Sequence, residues 1–186
     1  MYEFEELDSV TRKWMLEEWE AEQSRLAPFR STRLSPGGLA VVANHMRDAV
    51  VAGNEKTLAA GLADPALWVS AEPYERSGRQ RYRTVNPQKA AEFFAGTEFL
   101  TWYVRGFARR LLEERETYCV VYRVAPAWEP RDECLAHEGQ RYAVRDVYDG
   151  HRARYWPPPG SAAAFSIPTG TNCHHAIRRR RDAERA

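Results

Sequence analysis

The chain has 186 residues, of which 44% are hydrophobic and 28% charged, and its formal net charge is +1. This composition supports a packed core and excludes an intrinsically disordered chain, and no stretch approaches the roughly 18 apolar residues of a membrane span. The start, "MYEFEELDSV", is acidic and has no signal-peptide core, so we expect a protein of the cytoplasm or of an assembly made there.

The N-terminal part of the sequence is predicted to be mainly helical. The segment "LDSVTRKWMLEEWEAEQSRL" predicts a helix that Asp8 or Ser9 can cap, and its acidic outer face indicates an exposed helix that docks on a partner. A second helix is expected after Ser35 and the proline that follows it, with Gly53 at its end. Asn54 then begins a short third helix.

A hairpin and a long helix follow. "WVSAEPYERSGRQRYRTVN" alternates around Ser77-Gly78 and predicts an exposed two-stranded ribbon, whose four arginines and two tyrosines also suit a phosphate backbone. Apolar residues recurring at helical spacing predict a long helix from Pro87 to Glu114, and a strand is expected over residues 117–124. Cys119 lies in this strand, in an alternating apolar run, and is predicted to be a buried core residue.

Turn residues dominate residues 126–170, with one predicted strand in "QRYAVRDVY". A region with so few regular elements needs a staple to stay folded. We therefore divide the chain into an acidic helix and linker at 1–34, a mainly helical core with the hairpin at 35–125, and a loop-rich Cys/His region with a basic arm at 126–186. The predicted class is α+β: a helical N-terminal half with a β-hairpin, a long central helix, and a small β region stapled by zinc.

Two short segments carry the candidate zinc ligands. "DECLAHEGQRY" places Cys134 and His137 three residues apart, and "TNCHHAI" supplies Cys173, His174 and His175. Zinc favours four thiolate and imidazole ligands, commonly as two pairs separated by a loop. Because alternate residues of a strand share a face, the predicted set is Cys134, His137, Cys173 and His175, with His174 turned away.

Other interpretations of these residues remain open. Histidines beside Asn172 also suit an HNH-like nuclease, in which one histidine is the general base and a metal holds the phosphate, although no strand–turn–helix follows His175. Local packing without a metal is the plainest alternative. The basic run consists of Arg178, Arg179, Arg180 and Arg181, and it is expected to be an exposed arm that contacts DNA or an acidic partner.

The later motifs also occur in a recognisable order. "GTEFLTWYVRGFARRLLEE", "CVVYRV", "ECLAHEGQRYAV", a proline-rich loop and "IPTGTNCHHAI" together resemble the C-terminal region of the phage Mu F-like head morphogenesis family of minor capsid proteins. The resemblance covers residues 88–178 and rests on Thr97, Glu98, Cys134, Glu138, Gly139, Tyr142, Pro168, Cys173 and His175. His175 stands where the family has the second cysteine of Cys-x-Cys, and Arg131 stands where it has another cysteine.

This resemblance implies a structural virion protein of a phage or prophage rather than an enzyme. Such a protein acts in head assembly, in DNA packaging or at the portal and head–tail junction, with portal and major capsid proteins as partners and non-specific DNA contact. It would be assembled in the host cytoplasm and would reside in the virion. The alternative function is a zinc-containing nucleic-acid-binding protein or an HNH-like nuclease.

Overall fold

The computed structural model describes residues 2–24, 30–126, 132–153, 161, 165–167 and 173–181, without the side chains of Glu133, Cys134 and Arg152. Its elements in chain order are α1 (Ser9–Gln23), α2 (Pro36–Ala52), α3 (Glu55–Gly61), a 3-10 turn (Pro65–Leu67), β1 (Ala71–Arg76), β2 (Arg79–Thr84), α4 (Pro87–Glu113), β3 (Tyr118–Arg123), α5 (Asp132–Leu135), β4 (Arg141–Ala143), α6 (Val144–Ala153) and β5 (His175–Arg178). β1 and β2 form an antiparallel hairpin, and an antiparallel sheet has the order β4-β3-β5. The predicted α+β class, with its hairpin and long central helix, is confirmed.

Two compact units divide the chain. The middle unit is Phe29–Phe99, and the terminal unit combines Met1–Pro28 with Leu100–Ala186. Helix α4 therefore contributes its first half to one unit and its second half to the other. This grouping differs from the three consecutive segments that the sequence predicted, because the acidic N-terminal helix packs with the C-terminal region.

The predicted helix ends are confirmed by their capping contacts. Asp8 accepts hydrogen bonds from the backbone at the start of α1, and the Ser35 hydroxyl accepts one from the third residue of α2. Gly53 ends α2, and Asn54 then forms a capping box with Thr57 at the start of α3. These short polar side chains satisfy backbone N–H groups that the first helical turn leaves without partners.

The predicted exposure of α1 holds for only one side of the helix: Glu17 and Glu20 are exposed, whereas another side is buried. Its buried positions are Thr11, Met15, Glu18, Trp19 and Glu22. Met15 lies against α4 at Gly106, where an added Cβ would be 2.5 Å from the methionine Cγ. Only glycine allows the two helices to approach this closely.

An ion-pair network explains why acidic residues occupy the buried face of α1. The guanidinium of Arg105, on α4, contacts Glu18 Oε2 at 2.9 Å and Glu22 Oε2 at 3.5 Å. The Tyr148 hydroxyl, on α6, donates a hydrogen bond of 2.6 Å to the other oxygen of Glu18. Buried carboxylates are tolerated when they are paired and hydrogen-bonded in this way.

The predicted strand in "QRYAVRDVY" is mostly wrong, because only Arg141–Ala143 form β4 and the chain continues directly into α6. The buried residues Val144, Val147 and His151 explain the difference. Their spacing of three and four residues places them on one face of a helix, whereas a strand would separate them between two faces. Within the described residues, no helix has the length and apolar character that crossing a membrane requires.

Candidate functional site

The sheet of the terminal unit brings the two predicted ligand segments to the middle strand, β3. On one side of β3, Arg123 pairs with His175, the first residue of β5. On the other side, the Gly139 amide donates a 2.9 Å hydrogen bond to the carbonyl oxygen of Val121. Gly139 has φ of +74°, a conformation that glycine adopts without steric cost. The turn that contains "HEG" and the start of β5 therefore approach each other across β3.

A chain of four side chains forms where they meet. Cys173 Sγ lies 3.4 Å from His175 Nδ1, and His175 Nε2 lies 2.9 Å from Glu138 Oε1. Arg123 forms an ion pair with the same carboxylate. As predicted, Cys173 and His175 are on one side of the chain, whereas His174 makes an edge contact with the ring of Tyr2.

Burial and pairing oppose each other in setting the charges of this cluster. Burial alone would lower the pKa of His175, but the hydrogen bonds to Cys173 and Glu138 outweigh it and hold that pKa above its ordinary value. Burial likewise favours the neutral form of Glu138, yet hydrogen bonds from His175 and Arg123 lower the pKa of this carboxyl. Both shifts favour a cationic imidazole beside an anionic carboxylate.

The other predicted ligand pair has a separate environment. His137 Nδ1 is hydrogen-bonded to the Tyr142 hydroxyl at 2.6 Å, and the Tyr142 ring packs against Phe165 with centroids 4.6 Å apart. Cys134 lies in α5, and its side chain is outside the part of the chain that the structure describes. The predicted cysteine ligand in this half therefore stays a prediction.

The 3.4 Å between Cys173 Sγ and His175 Nδ1 is compatible with a shared zinc ion and equally with a hydrogen bond between them. Bonds of about 2.3 Å to sulfur and about 2.0 Å to nitrogen place two ligand atoms of a tetrahedral zinc about 3.5 Å apart, close to the distance between Cys173 and His175. The contact of His175 Nε2 with Glu138 matches the carboxylate that commonly orients a zinc-bound histidine. Among the described side chains, no group of three or more His, Cys, Asp or Glu is arranged to hold a metal. Completing the site thus requires Cys134 and a different position of His137.

The four C-terminal arginines differ from the predicted exposed arm. Arg178 ends β5, and Arg179 forms ion pairs with Glu6 at 3.2 Å and with Glu114 at 2.5 Å. Arg181, the most exposed of them, lies 3.4 Å from the acidic residue next to Glu6. Much of the basic charge is therefore used within the terminal unit, and contact with a partner remains a prediction for these residues.

Two functional contacts were missed in the sequence. Arg123 belongs to the predicted strand "CVVYRV", but its pairing with Glu138 depends on which segment lies next to β3. Tyr142 is an aromatic of the family motif, and its hydrogen bond with His137 is not indicated by the spacing of the two residues. Sequence alternation indicates which face a residue is on, but it does not identify the strand beside it.

A thiol, an imidazole and a carboxylate in contact can act either as a nucleophilic triad or as a structural staple. Cys173 is 7% exposed and His175 is 1% exposed, and a nucleophile this buried is poorly placed to meet a substrate. The arrangement therefore favours a structural role. Comparison of the chain with family models, with curated proteins and with solved structures finds no match.

Proposed function

We propose that this protein is a structural component of a phage or prophage virion, of the Mu F-like minor capsid type. It acts in head assembly or at the portal and head–tail junction, with portal and major capsid proteins as partners. This proposal depends on the resemblance of residues 88–178 to that family.

The contact between Glu138 and His175 is the observation that supports the proposal most. The resemblance assigns Glu138 to the Cys-x3-acid-Gly step and His175 to the closing motif, two short patterns that lie on either side of β4 and α6 in the sequence. The two side chains lie 2.9 Å apart. Motif residues that converge on one buried cluster are expected if the two patterns belong to a single structural element.

Zinc would act as the staple of this element. Cys173 and His175 would bind the ion, Cys134 and His137 would complete the set, and Glu138 would orient His175. The chemistry that zinc supplies here is the cross-linking of two distant segments, which adds binding energy to folding. Elemental analysis of protein purified without chelators should find about one zinc per chain.

A matched pair of histidine variants tests the zinc assignment. His175→Ala should lose the metal, whereas His174→Ala, which changes the adjacent imidazole, should keep it. Protein that contains no zinc, or equal zinc in both variants, would remove the tetrad. The virion proposal would remain, because it depends on the resemblance of residues 88–178 and not on a bound metal.

Particle composition tests the virion function. The phage or prophage that encodes the chain is induced, and its particles are purified on a density gradient. Quantitative mass spectrometry should find the chain in purified heads at a few copies per portal. Deletion of its gene should lower the yield of DNA-filled heads, and complementation should restore it. Particles of normal yield and infectivity that lack the chain would contradict the proposal.

The nuclease alternative has a separate readout. Supercoiled plasmid is incubated with the purified protein and Mg²⁺, Mn²⁺ or Zn²⁺. Intact plasmid agrees with a structural role. Cleavage that His175→Ala abolishes and His174→Ala preserves would replace the structural proposal with a nuclease.

A further inference from the structure

The hairpin of the middle unit places all its arginines on one face. The register pairs Glu72 with Arg83, Tyr74 with Arg81 and Arg76 with Arg79. Directly opposed residues share a face, and so do alternate residues along each strand. We call the resulting surface the arginine face, which consists of Arg76, Arg79, Arg81 and Arg83.

Three of these four arginines have no acidic partner among the residues that the structure describes. Arg83 contacts Glu72 at 2.6 Å, and Glu72 is also bound by Arg33 at 2.5 Å. Glu75, the other acid of the hairpin, pairs with Gln80 and therefore lies on the opposite face. Every residue of β2 is exposed, and so is Arg76 at the end of β1, so the three uncompensated guanidinium groups face solvent.

The tip of the hairpin concentrates like charge. Arg76 and Arg79 lie directly across from each other, next to the turn at Ser77 and Gly78. Like charges in directly opposed positions destabilise a strand pair. An anion bound between the two guanidinium groups would remove this repulsion, so the tip is better suited to a bound state than to a free one.

We infer that the arginine face binds double-stranded DNA through its phosphate backbone. Alternate residues of a strand are about 6.6 Å apart, which sets Arg79, Arg81 and Arg83 in a row along β2. Guanidinium groups bind phosphate oxygens in bidentate fashion, and the major groove of DNA admits a two-stranded ribbon. The face presents little apolar surface for a lipid layer: Tyr74, its one aromatic residue, is half-buried with the Arg83 guanidinium 5.8 Å from its ring, and Tyr82, which is 68% exposed, lies on the other face.

This inference goes beyond the proposed virion function and does not depend on it. It also differs from the sequence-based prediction that the arginines at 178–181 contact DNA, several of which are paired within the terminal unit. If the protein is part of a virion but does not bind DNA, only the DNA-binding inference fails. If it binds DNA but is absent from virions, only the virion proposal fails.

The number of phosphate contacts sets how strongly the affinity for DNA should depend on salt concentration. If Arg76, Arg79 and Arg81, the three without an acidic partner among the described residues, neutralise three phosphates, the logarithm of the binding constant should fall with the logarithm of salt concentration with a slope of about −2.7. Affinity should then fall about 40-fold between 50 and 200 mM salt. A variant that retains one of the three should have a slope of about −0.9 and lose only about 3.5-fold over the same range.

Fluorescence anisotropy with a labelled 20-base-pair duplex and the full chain tests the inference. The double variant Arg79→Gln and Arg81→Gln should bind at least tenfold more weakly at 50 mM salt, with the smaller slope. Replacing the same two residues with lysine should keep the slope, because the charges remain. The matched control is Lys13→Gln with Arg145→Gln, which removes two exposed charges from the terminal unit and should change affinity less than twofold.

Four results would overturn the inference. The first is no binding of the duplex at 50 mM salt, and the second is an equal loss of affinity in the matched control. The third is DNA binding that survives in the double variant Arg79→Gln and Arg81→Gln but disappears in the double variant Arg178→Gln and Arg181→Gln. The fourth is co-sedimentation with anionic vesicles but not with DNA. The variants at Arg79 and Arg81 should keep the circular dichroism spectrum and thermal midpoint of the unmodified protein, because the substituted side chains are exposed. Unchanged values exclude misfolding as the cause of weaker DNA binding.

Discussion

Replacement of Arg105 by methionine would leave two carboxylates in the core of the terminal unit without their guanidinium partner. Methionine is flexible and fills much of the space of the arginine stem, so most of the apolar packing is kept. The substitution therefore removes mainly the charge that holds Glu18 and Glu22.

We expect the free energy of unfolding to fall by about 3–5 kcal/mol, as when one partner of a buried ion pair is removed. The upper part of this range applies because Arg105 contacts both acids and because Glu22 is only 2% exposed. A loss of this size is a large share of the total stability of a domain, which is about 5–15 kcal/mol.

Urea unfolding followed by tryptophan fluorescence measures this loss. Trp14 and Trp19 lie on α1, and Trp102 on α4 lies 5.6 Å from the Arg105 guanidinium, so the signal reports the region that changes. Lys13→Met is the control, because its pair with Glu17 is exposed and 3.8 Å long. The control should change the free energy by less than about 0.5 kcal/mol.

A loss below about 1 kcal/mol for Arg105→Met would refute the reasoning, because exposed pairs already reach that value. A triple variant separates charge from packing by adding Glu18→Gln and Glu22→Leu. With both carboxylates removed, most of the lost stability should return, since replacing a complete buried ion-pair network is often neutral. Failure to recover would assign the loss to packing.

Native Cys119 should resist iodoacetamide at pH 8, because burial raises the pKa of its thiol to about 12. Peptide mapping by mass spectrometry should find this cysteine modified only after unfolding, and rapid labelling of Cys119 in the native protein would contradict the prediction. Gly106→Ala should lower the free energy of unfolding by about 1–3 kcal/mol, because the added Cβ would lie 2.5 Å from Met15. Gly37→Ala, whose nearest neighbour is 3.6 Å away, should change it by less than about 0.5 kcal/mol, and equal losses would contradict the argument. Glu72→Gln should flatten the acid side of the stability profile: hydrogen bonds from two arginines lower the pKa of Glu72 below 4.5, so its contribution is complete above that value and is lost as pH falls through the lower folded-state pKa. Identical profiles between pH 7 and pH 3 would refute this assignment.

Local chemistry made much of the fold predictable. The caps at Asp8, Ser35 and Asn54 act on backbone groups a few residues away, so their effect is visible in a short stretch of sequence. The same holds for the hairpin turn, where Ser77 and Gly78 both have positive φ. The long periodic stripe of α4 is also a local signal.

The errors arise where a distant partner decides the outcome. Glu18 and Glu22 gave α1 the pattern of an exposed acidic helix, and only Arg105, far away in sequence, makes their burial tolerable. The candidate site likewise has a part that local sequence predicts and a part that depends on distant segments. The shared side of Cys173 and His175 was predictable from spacing, whereas the contacts of His175 with Glu138 and of that carboxylate with Arg123 depend on strand order.

The division of the chain has a consequence for biosynthesis. The middle unit consists of the continuous residues Phe29–Phe99, so during synthesis it emerges complete from the ribosome before β3 does. The terminal unit needs α1 at one end and β5 at the other, and its sheet closes only after His175–Arg178 have emerged. Until then the edge of β3 that pairs with β5 stays open, and an unpaired strand edge is prone to non-native association. Chaperone demand during synthesis should therefore fall on this interval, after the middle unit has folded and before β5 arrives.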